Sequence, residues 1–480
     1  MTDEPLWRPR DIEGAAITRL AQLCSTRAGK PIEGFRALHA YSIDALADFW
    51  DAVWDDVGVI GDKGGTVLAE GDKMPGAKFF PEGRVNYAQN CLRGDPAAEA
   101  LVFRGEDRAE QRMTRGELAA AVAKCQAFLA EADVGEGDRV AAMLPNMPAT
   151  IVACLATASL GAVFSSCSPD FGERGVMDRF GQVEPKVFFA CDGYWYNGKP
   201  IDVSQKVASV AQALSADATV IVSYLDDLRA ADIARGIEGG MLFDTIMQRE
   251  ESEPTFRPMP FNAPLFILFS SGTTGVPKCI VHGTGGTLLK HMSEHHYHSG
   301  IRPGDRVFYF STCGWMMWNW LVSALASEAT LMLYDGSPFA PSHTVLWDYA
   351  EAEKFTFFGT SAKYIDALKK AGGHPMETHD LAALRTVAST GSPLAAESFR
   401  WVYQAIKADV HLASISGGTD IVACFVLGVP TEPVYAGEIQ GPALGVATDV
   451  AGEDGAHLPR GKGELVCREH FPSMPIMFWN

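Results

Sequence analysis

Residues 268–282, LFSSGTTGVPKCIVH, gather the groups that grip a polyphosphate. Ser270, Ser271, Thr273 and Thr274 supply hydroxyls, while Gly272 and Gly275 let backbone N–H groups approach phosphate oxygens. Lys278 adds a positive charge. Apolar, β-rich runs on both sides predict two strands joined by a polar loop, a hairpin and not a strand-to-helix turn. That context separates it from two commoner phosphate loops. A Walker loop needs G-x-x-x-x-G-K-[ST] with a helix directly behind it. Here Lys278 follows Val276-Pro277, and KCIVH behind it reads as a strand. A dinucleotide fingerprint fails as well, because Leu288 stands where the third glycine after Gly283 and Gly285 would be. A plain polar turn uses the same residue types, so the loop's role depends on what the rest of the chain brings to it.

At 480 residues the chain exceeds one compact core and should divide into two or more subdomains. A net charge of −19 argues against a nucleic-acid partner, since a phosphate backbone needs a basic stripe. It also means that any bound polyanion is held by local donors against the overall field. The cysteines are scattered with no C-x-x-C pair, which reads as reduced, buried thiols and a cytoplasmic setting. The N-terminal MTDEPLWRPR does not resemble a signal or transit peptide. Residues 147–168 are uncharged and long enough to span a bilayer. However, Gly161 divides the run, which suits a buried helix over about 149–160 and a buried strand over about 162–167. No membrane partner is expected.

Strands and helices alternate along most of the chain. Residues 40–60 have helical spacing, with their aromatics forming a core-facing stripe. ALVFRGED, TRGELAAAVAKCQAFLAEA, RVAAMLP, the 149–167 unit and GVMDRFGQVEPKVFFACDG form one alternating set. A second runs from PLFILFSS through RVFYFST, ATLMLYDG, FTFFGTS, LRTVASTGSP and VHLASISGGTD. The pattern predicts an α/β fold: two stacked α/β subdomains with mostly parallel sheets, at 96–262 and 263–429, behind an N-terminal extension over 1–95. Short Pro- and Gly-punctuated strands from 430 to 480 predict a small β-barrel-like subdomain. The apolar ending FPSMPIMFWN leads us to expect a longer natural polypeptide.

SSGTTGVPK resembles the signature loop of the adenylate-forming superfamily: acyl-CoA synthetases, luciferase-like enzymes and peptide-synthetase adenylation domains. STCGWMMWNW (311–320), TGSPL (390–394), SISGGTD (414–420) and GKGELVC (461–467) follow in that family's order. FWDAVWDD and FFPEGRVNYAQN resemble the N-terminal extension of the branch that takes acetate or acetoacetate. The resemblance implies two half-reactions. A carboxylate attacks the α-phosphorus of ATP to give an acyl-adenylate and pyrophosphate, and the thiol of coenzyme A then displaces AMP. It implies that residues 270–278 clamp the β- and γ-phosphates, that Thr419 bonds the α-phosphate, and that Asp420 holds Mg²⁺. Asp420 stands where the wider family has Glu. Gly391, Ser392 and Pro393 resemble the adenine-contacting turn, and Lys199 aligns loosely with a basic residue that binds coenzyme A. A smaller, mobile C-terminal domain with the adenylation lysine is implied too, with a ribose-binding Asp just beyond residue 480.

The acyl pocket carries the specificity. Acetate-using relatives place a Trp two residues before the Thr, and here that place is Gly417, followed by Gly418. Replacing an indole by hydrogen would open room for acetoacetate, so Gly417→Trp is expected to shift preference towards acetate. Trp315, Met316 and Met317 would line the site, and the Thr390 hydroxyl could meet a ketone oxygen. Trp318 and Trp320 suit core packing equally well. His291, His295, His296 and His298 do not form H-E-x-x-H and have no evident third ligand, so they read as a solvated helix face. Alternatives are a ligase for propionate, butyrate or a branched acid, a nucleotide-binding protein with little turnover, and a module loading a carrier protein.

Overall fold

The computed structural model describes residues 4–106, 109–270 and 275–479. The N-terminal extension forms the helices Ala16–Ala28, Gly34–Asp44 and Leu46–Asp56. Phe49, Trp50 and Trp54 are buried, with Trp54 4.8 Å from Phe80 between ring centroids. The aromatic stripe of 40–60 is therefore core.

Two large sheets organise the rest. In the first, Gly240–Leu242, Ala218–Val222, Val187–Cys191, Arg139–Met143, Val163–Cys167 and Pro264–Ser270 run parallel in that spatial order. Lys278–Gly283 and Met477–Phe478 then add antiparallel. The central strands are buried along their whole length, as parallel strands covered on both faces must be. One cover is the helix Pro148–Ser159, buried at every residue, so the membrane-like run is interior packing. Among the described residues no helix is long and apolar enough to cross a membrane.

The second sheet runs His411–Ser414, Thr386–Thr390, Phe357–Ser361, Arg306–Tyr309, Thr330–Asp335 and Glu99–Gly105, all parallel, and ends on antiparallel Ala109–Thr114. The sheets do not follow the sequence division at 262/263. Glu99–Gly105 crosses into the second sheet against Thr330–Asp335, and the hairpin beginning at Pro264 crosses into the first against Val163–Cys167. Periodicity reveals a strand but not its neighbour, because the same apolar alternation suits either edge.

The expected barrel over 430–480 does not form among the described residues. Its strands are two to four residues long, too short to close on themselves, and they attach elsewhere. Gly441–Pro442 extends Ala423–Leu427, Thr448–Ala451 pairs with Glu464–Cys467 and bridges His457 through Ala451, and Met477–Phe478 joins the first sheet.

The carboxyl ends of the two sheets are bonded together. Ser166 Oγ donates to the Cys313 carbonyl at 2.8 Å, Cys313 Sγ to the Pro145 carbonyl at 3.3 Å, and Trp318 Nε1 to Asn146 Oδ1 at 3.0 Å. Open α/β sheets bind ligands at such strand ends.

Candidate active site

The phosphate loop tops a hairpin, as its flanking runs predict. Pro264–Ser270 pairs with Lys278–Gly283, and Ser270 stands opposite Lys278 at the mouth. Lys278 is exposed and Ser270 half-buried. Ser271, Gly272, Thr273 and Thr274 lie outside the described residues. Gly275 has φ +125°, a conformation that side chains avoid, and a Cβ there would meet nothing within 4 Å. The constraint at 275 is thus backbone conformation and not crowding.

Thr419 and Asp420 sit in a turn between Ser416–Gly418 and the antiparallel strand Ala423–Leu427. The strand leaving the hairpin reaches this turn directly: His282 Nε2 is 2.8 Å from the Thr419 carbonyl oxygen. Burial holds the His282 ring down at about 3, so it is neutral near pH 7 and its Nε2–H donates. The Asp420 carboxylate is exposed. Among the described residues no group of three or more His, Cys, Asp or Glu could hold a metal ion.

Gly391 follows the strand Thr386–Thr390 with φ +84°, and Gly391, Ser392 and Pro393 are exposed at that strand's carboxyl end. Thr390 plays a different part from the one expected. Its hydroxyl donates to the Ile415 carbonyl at 2.9 Å, bracing two neighbouring strand ends, and its proton is not free for a ketone oxygen.

Met316 and Met317 open the helix Met316–Ser323, each 8% exposed, while Trp315 before them is 66% exposed. Trp318 and Trp320 are core, and each indole N–H has a buried partner, Asn146 Oδ1 and Glu294 Oε2 respectively. Gly417 requires a correction. A Cβ built there would lie 2.0 Å from the Ala423 carbonyl oxygen and 2.6 Å from Cys424 Cα. The bulge between Ser416 and Gly417 turns that position into the facing strand. Glycine is needed there for two backbones to approach, so an indole at 417 does not simply refill an acyl pocket. At Gly418 a Cβ would meet the Asp420 carboxylate at 3.3 Å and, at an ordinary 3.9 Å, the Asp420 backbone nitrogen.

The histidines are not a solvated face. His291, His295 and His298 are buried, in the helix Thr284–Ser293 and the π-turn Glu294–His298 that continues it. Their neighbours Lys290 and Glu294 form a fully buried ion pair at 2.7 Å. Glu294 also accepts from Trp320 Nε1 at 3.0 Å and the Cys424 backbone N–H at 2.9 Å. A Lys and a Glu four residues apart signal a helical pair. Their complete burial has no local signature, because it comes from Trp320 and Cys424 far along the chain.

Lys199 is exposed on the hairpin formed by Gly193–Tyr196 and Lys199–Asp202. Glu106 Oε1 and Oε2 accept from the Asn197 and Gly198 N–H groups at 2.7 and 2.8 Å. This fixes the hairpin to the carboxyl edge of the second sheet, the edge that carries Gly391.

The AMP-binding enzyme family matches residues 88–474, and the acetyl-coenzyme A synthetase N-terminus matches residues 35–91. Acetoacetyl-coenzyme A synthetase of Rhizobium meliloti (strain 1021) is 56% identical over 481 residues, covering 100% of this chain and 74% of that protein. Acetoacetyl-CoA synthetase of Mus musculus is 38% identical over 491 residues, covering 100% of this chain and 73% of that one. A solved structure of acetoacetyl-CoA synthetase from Streptomyces lividans superposes with a TM-score of 0.93 at 42% identity, covering 99% of this chain and 74% of that one. By sequence over its whole length and by fold, the chain belongs to the AMP-binding enzyme family, on the branch of the acetoacetyl-CoA synthetases.

Proposed function

We infer that the chain activates acetoacetate with ATP and passes it to coenzyme A, yielding acetoacetyl-CoA, AMP and pyrophosphate. One observation within the structure supports this most: the His282 bond to the Thr419 carbonyl, which joins the phosphate hairpin to the Thr419–Asp420 turn. In the first half-reaction an acetoacetate oxygen attacks the α-phosphorus and the bond to the β-phosphate bridging oxygen breaks. Charge builds on phosphate oxygens, so positioning and electrostatics dominate. Lys278 and the loop beside it are suited to the β- and γ-phosphates, and the Thr419 hydroxyl to an α-phosphate oxygen. In the second half-reaction the coenzyme A sulfur attacks the acyl carbonyl and AMP departs.

Mg²⁺ fits the donors present. Asp420 is one exposed carboxylate, and magnesium is commonly held by one or two carboxylates with phosphates and water completing its shell. When bound, the ion neutralises phosphate charge. Gly391, Ser392 and Pro393 offer exposed backbone for the adenine ring, Lys199 a cation for coenzyme A, and Met316 and Met317 an apolar lining for the acid.

The test is acid-dependent pyrophosphate release with acetoacetate, acetate, propionate and butyrate, alongside ATP binding by calorimetry. Acetoacetate should give the highest kcat/KM. A higher value for butyrate or propionate moves the substrate to another short acid. ATP binding without acid-dependent release selects a nucleotide-binding protein.

A further inference from the structure

We propose that His282 and His291 are positioning residues that clamp the Thr419–Val422 turn to the chain leaving the phosphate hairpin, so that Thr419 and Asp420 stay in register with that hairpin. The proposal rests on the functional reading above.

Both rings come from one continuous piece of chain, the strand Lys278–Gly283 and the helix Thr284–Ser293 that follows it. His282 donates to the Thr419 carbonyl at 2.8 Å, and His291 Nε2 donates to the Val422 carbonyl. The two bonded carbonyls bracket Asp420 and Ile421. Inside the bracket the Ile421 N–H closes the turn on the Gly418 carbonyl at 3.2 Å.

Val422 shows why such a clamp is needed. It is buried with φ +50°, a left-handed conformation that a β-branched residue strongly disfavours. Residues persist in such conformations when their surroundings over-determine them, and they gather at functional sites. The bond from His291 is part of that determination. Its tautomer is fixed by what each nitrogen faces: a carbonyl can only accept, so Nε2 carries the proton towards Val422, and Nδ1 lies 2.7 Å from Ser323 Oγ. Ser323 Oγ is also 2.7 Å from Tyr87 Oη and donates to the Asn319 carbonyl at 3.1 Å, a buried cluster that holds the imidazole in place. Beyond the turn, the Cys424 N–H donates to Glu294 at 2.9 Å, a third tie to the same run of chain. Among the described residues, the side-chain hydrogen bonds to the backbone of residues 419–424 come from His282, His291 and Glu294, and they add to the ladder that pairs Gly417 and Gly418 with Cys424 and Ala423. That arrangement fixes backbone and leaves the chemical groups free.

The test uses the whole chain, His282→Ala and His282→Gln, titrated by calorimetry with ATP and separately with pyrophosphate. Amide hydrogen exchange at residues 420–424 is read without ligand in the same proteins and in His291→Ala. We expect His282→Ala to weaken ATP about tenfold while pyrophosphate, which meets only the hairpin, changes less than about twofold. Exchange at 420–424 should quicken about tenfold in both alanine variants. His282→Gln, whose amide can donate to the same carbonyl, should return ATP affinity to within about threefold of the parent. Unchanged exchange in both alanine variants overturns the clamp. So do equal losses of ATP and pyrophosphate affinity, or a glutamine variant as weak as alanine. A parent chain that binds no ATP overturns the functional reading instead, and the exchange measurement still decides the clamp.

Discussion

Gly417 packs so tightly on Ala423 that a Cβ on the glycine would lie 2.0 Å from the Ala423 carbonyl oxygen. That atom belongs to backbone and cannot rotate away, so Gly417→Ala should cost about 1–3 kcal/mol through overpacking, and Gly417→Trp more. Gly418→Ala crowds the far end of the Asp420 side chain, touches the Asp420 backbone nitrogen only at ordinary van der Waals distance, and should stay within about 0.5 kcal/mol of the parent. Urea unfolding of the three variants checks this. If Gly417→Trp keeps parental stability and gains acetate activity, the bulge is more pliable than its geometry indicates.

The Thr390 hydroxyl gives a second prediction, since its proton already goes to the Ile415 carbonyl. Thr390→Val keeps the shape and removes that bond, which should lower stability by about 1 kcal/mol. The KM for acetoacetate should change less than about threefold, as a hydroxyl outside the acid's contacts implies. A rise in KM of tenfold or more, with stability unchanged, would instead place the hydroxyl on the substrate.

What the sequence revealed, and what it hid, divides along physical lines. The hairpin at 264–283 was legible because two β-rich runs flank a Ser, Thr and Gly loop, and local pattern decides local pairing. The glycine turn at 391 was legible for the same reason. Interior burial of the histidines was hidden, because His291, His295 and His298 look polar in any window of the chain. Only the fold brings Ser323, Val422 and Gly428 to their ring nitrogens. Gly417 was misread by analogy. A missing indole in an alignment suggests space, whereas the space at this position is filled by the backbone of Ala423 and Cys424.

The buried Lys290–Glu294 pair yields a third prediction. Burial drives the Glu294 carboxyl up, but the Lys290 ammonium, His291 and the Cys424 N–H more than offset it, and the group stays below the usual carboxylate range. Glu294→Gln strands a buried ammonium and should cost about 3–5 kcal/mol. Adding Lys290→Met removes the stranded charge and should recover most of that loss. Denaturant midpoints of the single and double variants measure it. A single variant within about 1 kcal/mol of the parent would mean the ammonium finds another partner or loses its proton.

Acid sensitivity follows from the other buried rings. Burial holds His282 and His298 at about 3 and His291 and His411 at about 4, against an ordinary value of 6.5. Below pH 6.5 the unfolded chain takes up protons that the folded chain refuses, so stability present above pH 6.5 is lost as pH falls towards about 4. At pH 5.5 each such ring removes roughly 1 kcal/mol, and four together several. Urea midpoints should therefore drop clearly between pH 7.5 and 5.5. His411 supplies the control. It lies away from the Thr419–Val422 turn and donates to Gln440 Oε1 at 2.7 Å, so His411→Gln removes one titrating ring. Its stability should fall less steeply with acid than the parent's, by about one proton's worth of slope. A parent midpoint that stays flat over this range would mean the rings are protonated in the folded chain, and with them the neutral tautomers assigned to His282 and His291 would fall.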